Sequence, residues 1–172
     1  MTEQPHQPGP LAGRIALITG ASEGLGAEIA RHFARAGAHL AICARRAERL
    51  EAVRTEIMAQ HPHVRVLAVA ADVSVPADVA ALFKAIGQSF GTLDAVVSNA
   101  GILGPVGPSE SVPWDAWAAT FATNLFGLAD VTRHALPIFR SKGAGKLIAI
   151  GGGGVSNPMP NLSAYAASKA AA

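Results

Sequence analysis

Short apolar runs alternate with longer amphipathic stretches along almost the whole chain. The first run, RIALITG (14–20), ends at Gly20 and reads as a strand buried on both faces. The stretch that follows, ASEGLGAEIARHFARAG, places Leu25, Ile29, Ala30 and Phe33 at helical spacing, with Gly37 as a stop. A second run, AHLAICA (38–44), leads into a stretch with Leu50, Val53, Ile57 and Met58 on one helical face, limited by Pro62. The third run is VRVLAVAADV (64–73). Pro76 then opens a helix reaching about Phe90, since proline suits the first helical turn, where its missing N–H is not needed. LDAVVSNAG (93–101) reads as the fourth strand. Residues 112–143 are helical in one or two pieces, and Pro137 is expected to kink or end the helix near that point. GKLIAIGG (145–152) is the fifth strand, and a last helix begins near Ser163.

Continuous apolar runs separated by amphipathic helices predict a parallel sheet covered on both faces, an α/β fold. Right-handed crossovers make the doubly wound arrangement the expected topology. The length of 172 residues fits one domain. It is expected over 14–172, after a polar, Pro-rich and disordered tail at 1–13.

Composition narrows the function. Hydrophobic residues make up 50% and charged residues 15%, against a usual charged share of about 25%. So apolar a chain buries surface against partners or lacks part of its own cover. The net charge of +2, without a dense Lys/Arg cluster, argues against a nucleic-acid partner. The lone Cys43 cannot form an internal disulfide, and the N-terminal stretch has no apolar signal core. No segment has the roughly 18 apolar residues of a membrane span. A cytoplasmic protein with no membrane partner is the expectation, and no metal site is indicated.

TGASEGLG (19–26) lies between the first strand and the first helix. In a doubly wound fold, ligands bind beyond the carboxyl ends of the strands. Gly20 can turn tightly, Gly24 allows a pyrophosphate to approach, and Gly26 permits close helix–strand packing. The helix start offers free N–H groups and a positive dipole end. No Gly-Lys-Ser/Thr follows, which argues against an NTPase.

Thr19, Gly20, Gly24 and Gly26 match TGxxxGxG, and here the sequence resembles the short-chain dehydrogenase/reductase family. Further motifs follow in order. ADV (71–73) is similar to the family's adenine-contacting segment, with Asp72 as the polar contact beside Val73. SNAG (98–101) resembles the family's NNAG motif, with Asn99, Ala100 and Gly101 in place. TNLFG carries Asn124 where the family has its helical active-site asparagine, and YAASK supplies Tyr165 and Lys169. The resemblance implies a Rossmann-like fold and a nicotinamide cofactor held by Thr19, Gly20, Ser22, Gly24, Leu25, Gly26, Arg45, Asp72, Val73, Asn99, Ala100, Gly101, Tyr165 and Lys169. Which cofactor is read from the end of the second strand. An acid there would favour the ribose hydroxyl of NAD, whereas arginine can hold the 2′-phosphate of NADP. ICARRAE has no acid at Ala44 and then Arg45 and Arg46, which favours NADP over NAD. Glu23, in the phosphate loop, argues mildly the other way by repelling a phosphate.

Residues four apart on a helix share a face, so Tyr165 and Lys169 can reach one site. A phenol is protonated at neutral pH, and a nearby ammonium stabilises its phenolate. The resemblance therefore implies Tyr165 as proton donor or acceptor toward a carbonyl or alcohol oxygen, with Lys169 also holding the nicotinamide ribose and Asn124 completing the catalytic set. The family's serine would fall at or beside Gly152, but the chain has Gly151 to Gly154 there. Ser156 or a glycine N–H could take its place, and Ser163 reads as an N-cap. In the family a sixth strand and substrate-pocket segments follow, so the sequence resembles a member truncated after YxxxK, its sheet incomplete at the C-terminus, its fifth strand an open edge and its last helix a stub. The expected activity is hydride transfer between nicotinamide and a small carbonyl or alcohol substrate, in a homo-oligomer when extended. A non-catalytic dinucleotide-binding or regulatory protein, or an inactive fragment, remains the alternative.

Overall fold

The computed structural model describes residues 9–172. Residues 1–8 of the expected tail lie outside these. Residues 9–13 form a turn tied to the body of the protein, with the Leu11 N–H donating to the Ala36 carbonyl.

The strands are β1 (Ile15–Thr19), β2 (His39–Ala44), β3 (Val66–Ala70), β4 (Ala95–Ser98) and β5 (Lys146–Ala149). They form one parallel sheet in the order β3-β2-β1-β4-β5. Between them run α1 (Gly24–Arg35), α2 (Ala47–Gln60), α3 (Pro76–Phe90), α4 (Trp114–Phe121) and α5 (Gly127–Lys142), and α6 (Ser163–Ala171) follows β5. The doubly wound α/β expectation is thus met.

Alternation along the strands explains the two layers. Ala16, Ile18, Leu40 and Ile42 point to one face and pack with Ala27, Ala30 and Ala34 of α1 and with Leu50, Val53 and Ile57 of α2. Ile15, Leu17, Ala41 and Cys43 point to the other and meet Val79, Leu82 and Ile86 of α3 and Val131, Ala135 and Phe139 of α5. Each fully buried Leu or Ile contributes about 1.5–3 kcal/mol. The all-alanine inner stripe of α1 lets that helix lie close to the sheet. Burial also pushes the Cys43 thiol up to about 12, so it stays protonated.

Four sequence expectations change. Leu25 is 57% exposed rather than in the core, and Met58, expected beside Leu50 and Val53, is 37% exposed. The helix does not end at Pro137, which lies inside α5. The irregularity falls earlier, in a π-helical turn at Ala122–Phe126 that joins α4 to α5. Ser163 is the first residue of α6 rather than its cap, a place taken by Leu162, and its hydroxyl accepts a hydrogen bond from the Trp117 indole at 3.3 Å.

Among the described residues β5 pairs only with β4, and all four of its residues are exposed, Leu147 and Ile148 by about two fifths. At the opposite end of the strands from the glycine loop, Asp94 ties the base of the sheet together. It accepts bonds from the Ile15 N–H (2.9 Å), Arg14 (3.1 Å) and Lys142 (2.5 Å). Burial acts to raise its carboxyl. The Lys142 ammonium, the Ile15 N–H and Arg14 outweigh that and hold it below the ordinary value of 3.8. A depressed carboxyl contributes stability that is present above the unfolded-state value and lost as pH falls through the folded one. Asp94→Asn is expected to lower stability at neutral pH by roughly 1–3 kcal/mol. It should also shrink the loss of stability below about pH 4 relative to the parent. Urea unfolding at stepped pH checks this, and an unchanged acid limb would contradict it.

Candidate active site

The strand order reverses between β1 and β4, and a crevice opens where the loops after these two strands diverge. A buried side chain, Thr19, and a half-buried one, Asn99, fix its floor. The Thr19 hydroxyl accepts the N–H groups of Asn99 and Ala100, both at 3.0 Å. The Asn99 amide donates to the carbonyls of Thr19 (3.0 Å) and Gly20 (3.2 Å). Backbones this close leave no room for side chains. A Cβ on Gly26 would lie 2.5 Å from the Asn99 amide nitrogen, and one on Gly20 2.9 Å from the Ala100 Cα. Gly20 also sits at φ +66°, a left-handed conformation that favours glycine.

The resulting cleft, about 290 Å³, is lined by Gly20, Ser22, Glu23, Leu25 and Gly26 from the first loop. Cys43, Ala44, Arg45 and Arg46 come from the end of β2, Ala71, Asp72 and Val73 from the end of β3, and Asn99 to Ile102 with Thr123 complete it. Of the residues anticipated for the cofactor, Gly20, Ser22, Leu25, Gly26, Arg45, Asp72, Val73, Asn99, Ala100 and Gly101 therefore meet in one place. Thr19 does not line the cleft; it is fully buried and holds the two loops together. Gly24 does not line it either but opens α1 at φ +55°. No side chain caps the start of α1 and no acid sits in its first turn, so its first N–H groups are available to an anion. The glycine cradle, the free helix start and the basic β2 end together fit a dinucleotide.

Charge at the β2 end is paired. Glu23 forms ion pairs with Arg46 and with Arg49 of α2 (2.5 Å for the latter). Its carboxyl is held below the ordinary range, chiefly by the hydrogen bond from Arg46. Arg45 lies 4.0 Å from Asp72, whose other oxygen accepts both the N–H and the hydroxyl of Ser74.

Tyr165, Lys169 and Asn124 lie at the Gly101 end of this cleft without lining it. The π-helical turn directs Asn124 inward, where it is buried. Its carbonyl oxygen accepts from the Ile102 N–H (2.8 Å), and its amide donates to the Ile102 carbonyl (3.0 Å) and the Ser168 hydroxyl (2.9 Å). Ser168 in turn donates to the Tyr165 carbonyl at 2.8 Å. One asparagine thus joins the loop after β4 to α6. Lys169 is 8% exposed and donates to the Ile150 carbonyl at 2.9 Å, and its ammonium stands 5.9 Å from the centre of the Tyr165 ring. Burial pushes the Lys169 ammonium below its ordinary value. A Cβ on Gly101 would lie 3.3 Å from Asn124 Oδ1 and 3.5 Å from Lys169 Nζ, so the three residues meet at one corner.

The glycine tract has a packing reason. A Cβ on Gly154 would lie 2.7 Å from the Ala166 backbone of α6, and one on Gly153 2.9 Å from the Met159 sulfur. A Cβ on Gly152 would collide with the Tyr165 hydroxyl itself. The position expected for the serine is therefore the one facing the phenol, and the space a side chain would take holds the phenol oxygen. Ser156 is exposed and no hydrogen bond joins it to Tyr165.

Ser168 escaped sequence reasoning, although its place three residues after Tyr165 put it on the same helical face. Ala44, Ala71 and Thr123 stood within the stretches read for the cofactor and active site without being assigned a contact, and Ile102 carried no chemical signal; the fold brings all four to the cleft.

A doubly wound sheet with a glycine loop at its switch point and a Tyr–Lys helix at the cleft's edge defines a class, and the comparisons agree. The family model described as short chain dehydrogenase matches residues 14–172, and the chain belongs to that short-chain dehydrogenase/reductase family. It is 34% identical over 162 residues to 2,3-dihydro-2,3-dihydroxybenzoate dehydrogenase of Bacillus subtilis, covering 94% of this chain and 61% of that protein. L-sorbose reductase from Gluconobacter frateurii, solved with NADPH and L-sorbose, superimposes with a TM-score of 0.89 at 32% identity, over 95% of this chain and 61% of that one. A 7α-hydroxysteroid dehydrogenase complexed with NADH gives 0.87 at 31% identity, over 94% and 62%. The chain thus spans about three fifths of the length of these relatives.

Ser168→Ala is expected to leave one amide hydrogen of Asn124 without an acceptor and to cost roughly 1–3 kcal/mol of stability. Thermal unfolding measures it. A change within error would show that the Asn124–Ser168 bond does not hold α6 in place.

Proposed function

We propose that the chain is the nucleotide-binding and proton-transfer part of an NADP(H)-dependent oxidoreductase acting on a small carbonyl or alcohol substrate. The observation that carries this reading is the shared corner of Lys169, Asn124 and Gly101 at one end of a cleft built on the glycine loop. When bound, the nicotinamide supplies or accepts the hydride. Gly20, Ser22, Gly24, Leu25, Gly26 and the α1 start hold the pyrophosphate, Asp72 and Val73 border the adenine, and Asn99, Ala100 and Gly101 border the nicotinamide side. Arg45 supports NADP over NAD, as no acid stands beside it at the end of β2.

Tyr165 donates a proton to the carbonyl oxygen in reduction and removes one from the alcohol in oxidation. The Lys169 ammonium favours the phenolate through its positive charge, and its bond to the Ile150 carbonyl fixes where that charge sits. It also binds the nicotinamide ribose. Asn124 keeps α6 in register with the loop after β4. Gly152 gives the substrate oxygen no hydroxyl donor, so its polarisation is weak and turnover slow.

The setting is cytoplasmic, in keeping with a lone buried thiol, and among the described residues no helix is long and apolar enough to cross a membrane. Self-association is expected of an extended form; the apolar groove that Leu125 of the π-helical turn makes with Leu128 and Leu136 of α5 supports it.

NADPH oxidation with a panel of aldehydes and ketones tests the reading. Tyr165→Phe is expected to remove nearly all turnover; full turnover in that variant would refute the acid/base role. Gly152→Ser is expected to raise turnover by ~10-fold, less than the ~10²–10³ of one oxyanion donor because the phenol must give way to the new side chain. Arg45→Ala should weaken NADPH and leave NADH nearly unchanged. Equal affinities that this change does not alter would defeat the NADP assignment.

A further inference from the structure

We propose that Glu23 sets the cofactor selectivity of the cleft by competing with the 2′-phosphate for Arg46 and Arg49, an inference that rests on the NADP(H) reading above. Glu23 immediately precedes α1 and faces the end of β2 across the cleft. One of its oxygens engages Arg46 and the other engages Arg49, each keeping a second lone pair for a further donor. Arg45, the remaining basic side chain at this end, leans toward Asp72 instead. Each arginine near the β2 end therefore already has an acid, and two of them share the same one.

A 2′-phosphate arriving there meets a compensated surface. It must draw Arg46 and Arg49 away from Glu23 and then tolerate that carboxylate as a like-charged neighbour. A 2′-hydroxyl meets no such barrier, because it can donate a hydrogen bond to the carboxylate. Glu23 thus supplies, from the glycine loop, the acid that the end of β2 lacks. The arginines favour NADP(H) and Glu23 restrains that preference, which makes the cleft one that accepts both cofactors. All three side chains are about half exposed, so the competition is modest and screened by salt. Two exposed pairs correspond to an effect of roughly tenfold in affinity.

Titrating the purified protein with NADPH and with NADH, followed by nucleotide fluorescence, tests this. Glu23→Gln keeps the shape and removes the charge. It is expected to tighten NADPH about tenfold while NADH stays the same or weakens. The gain should vanish when Glu23→Gln is combined with Arg46→Ala and Arg49→Ala, since no contested arginine then remains. NADPH binding that does not respond to Glu23→Gln, equal tightening of both cofactors, or a gain that persists without the arginines would each overturn this inference alone. A parent protein that binds neither cofactor, or NADH only, would overturn the NADP(H) reading and this inference with it.

Discussion

The Thr19 hydroxyl is the point on which the cleft depends. It is fully buried, and it accepts the first two N–H groups of the loop after β4. β1 and β4 are neighbours in the sheet, but their helices leave on opposite faces, so nothing in the sheet itself would hold their outgoing loops together. The hydroxyl and the Asn99 amide do so, and the glycines follow as a consequence: with backbones locked this close, a side chain on Gly20 or Gly26 has nowhere to go. Burying these groups would cost energy if they were unpaired; paired, they make the floor of the cleft rigid.

A second device repeats the logic at the far corner. Asn124 pairs with both backbone groups of Ile102 and with Ser168, so loop and α6 move as one. The π-helical turn is what makes this possible, because an extra residue in the turn rotates Asn124 into the interior. Lys169 is carried to its buried place by the same helix, and the glycine tract lies against that helix because it has no side chains in the way. The loss of the serine and the close seating of Tyr165 are thus one structural fact.

Much of this was legible in the sequence because the signals were local. Unbroken apolar runs gave the strands, Pro76 marked the start of α3, and the glycine loop fell between a strand and a helix as its chemistry requires. The parts that were not legible depend on three-dimensional neighbours. Leu25 and Met58 fit helical spacing, yet Leu25 faces the cleft and Met58 the solvent, since an arc of small residues or three aliphatics already fills the inner face. Pro137 looked like a terminus, but packing of Val131, Ala135 and Phe139 carries α5 through it. Glu23 looked like a simple repulsive charge, and only the fold shows it spanning the cleft to two arginines.

The claim at the centre of this account is that the stapled loops form a dinucleotide site. Amide hydrogen exchange with and without saturating NADPH reads it directly. Slowed exchange is expected at residues 20–26, 44–46 and 99–102, with α5 and its outer groove unaffected. Exchange in those three loops that NADPH leaves unchanged, or protection confined to the α5 groove, would contradict it.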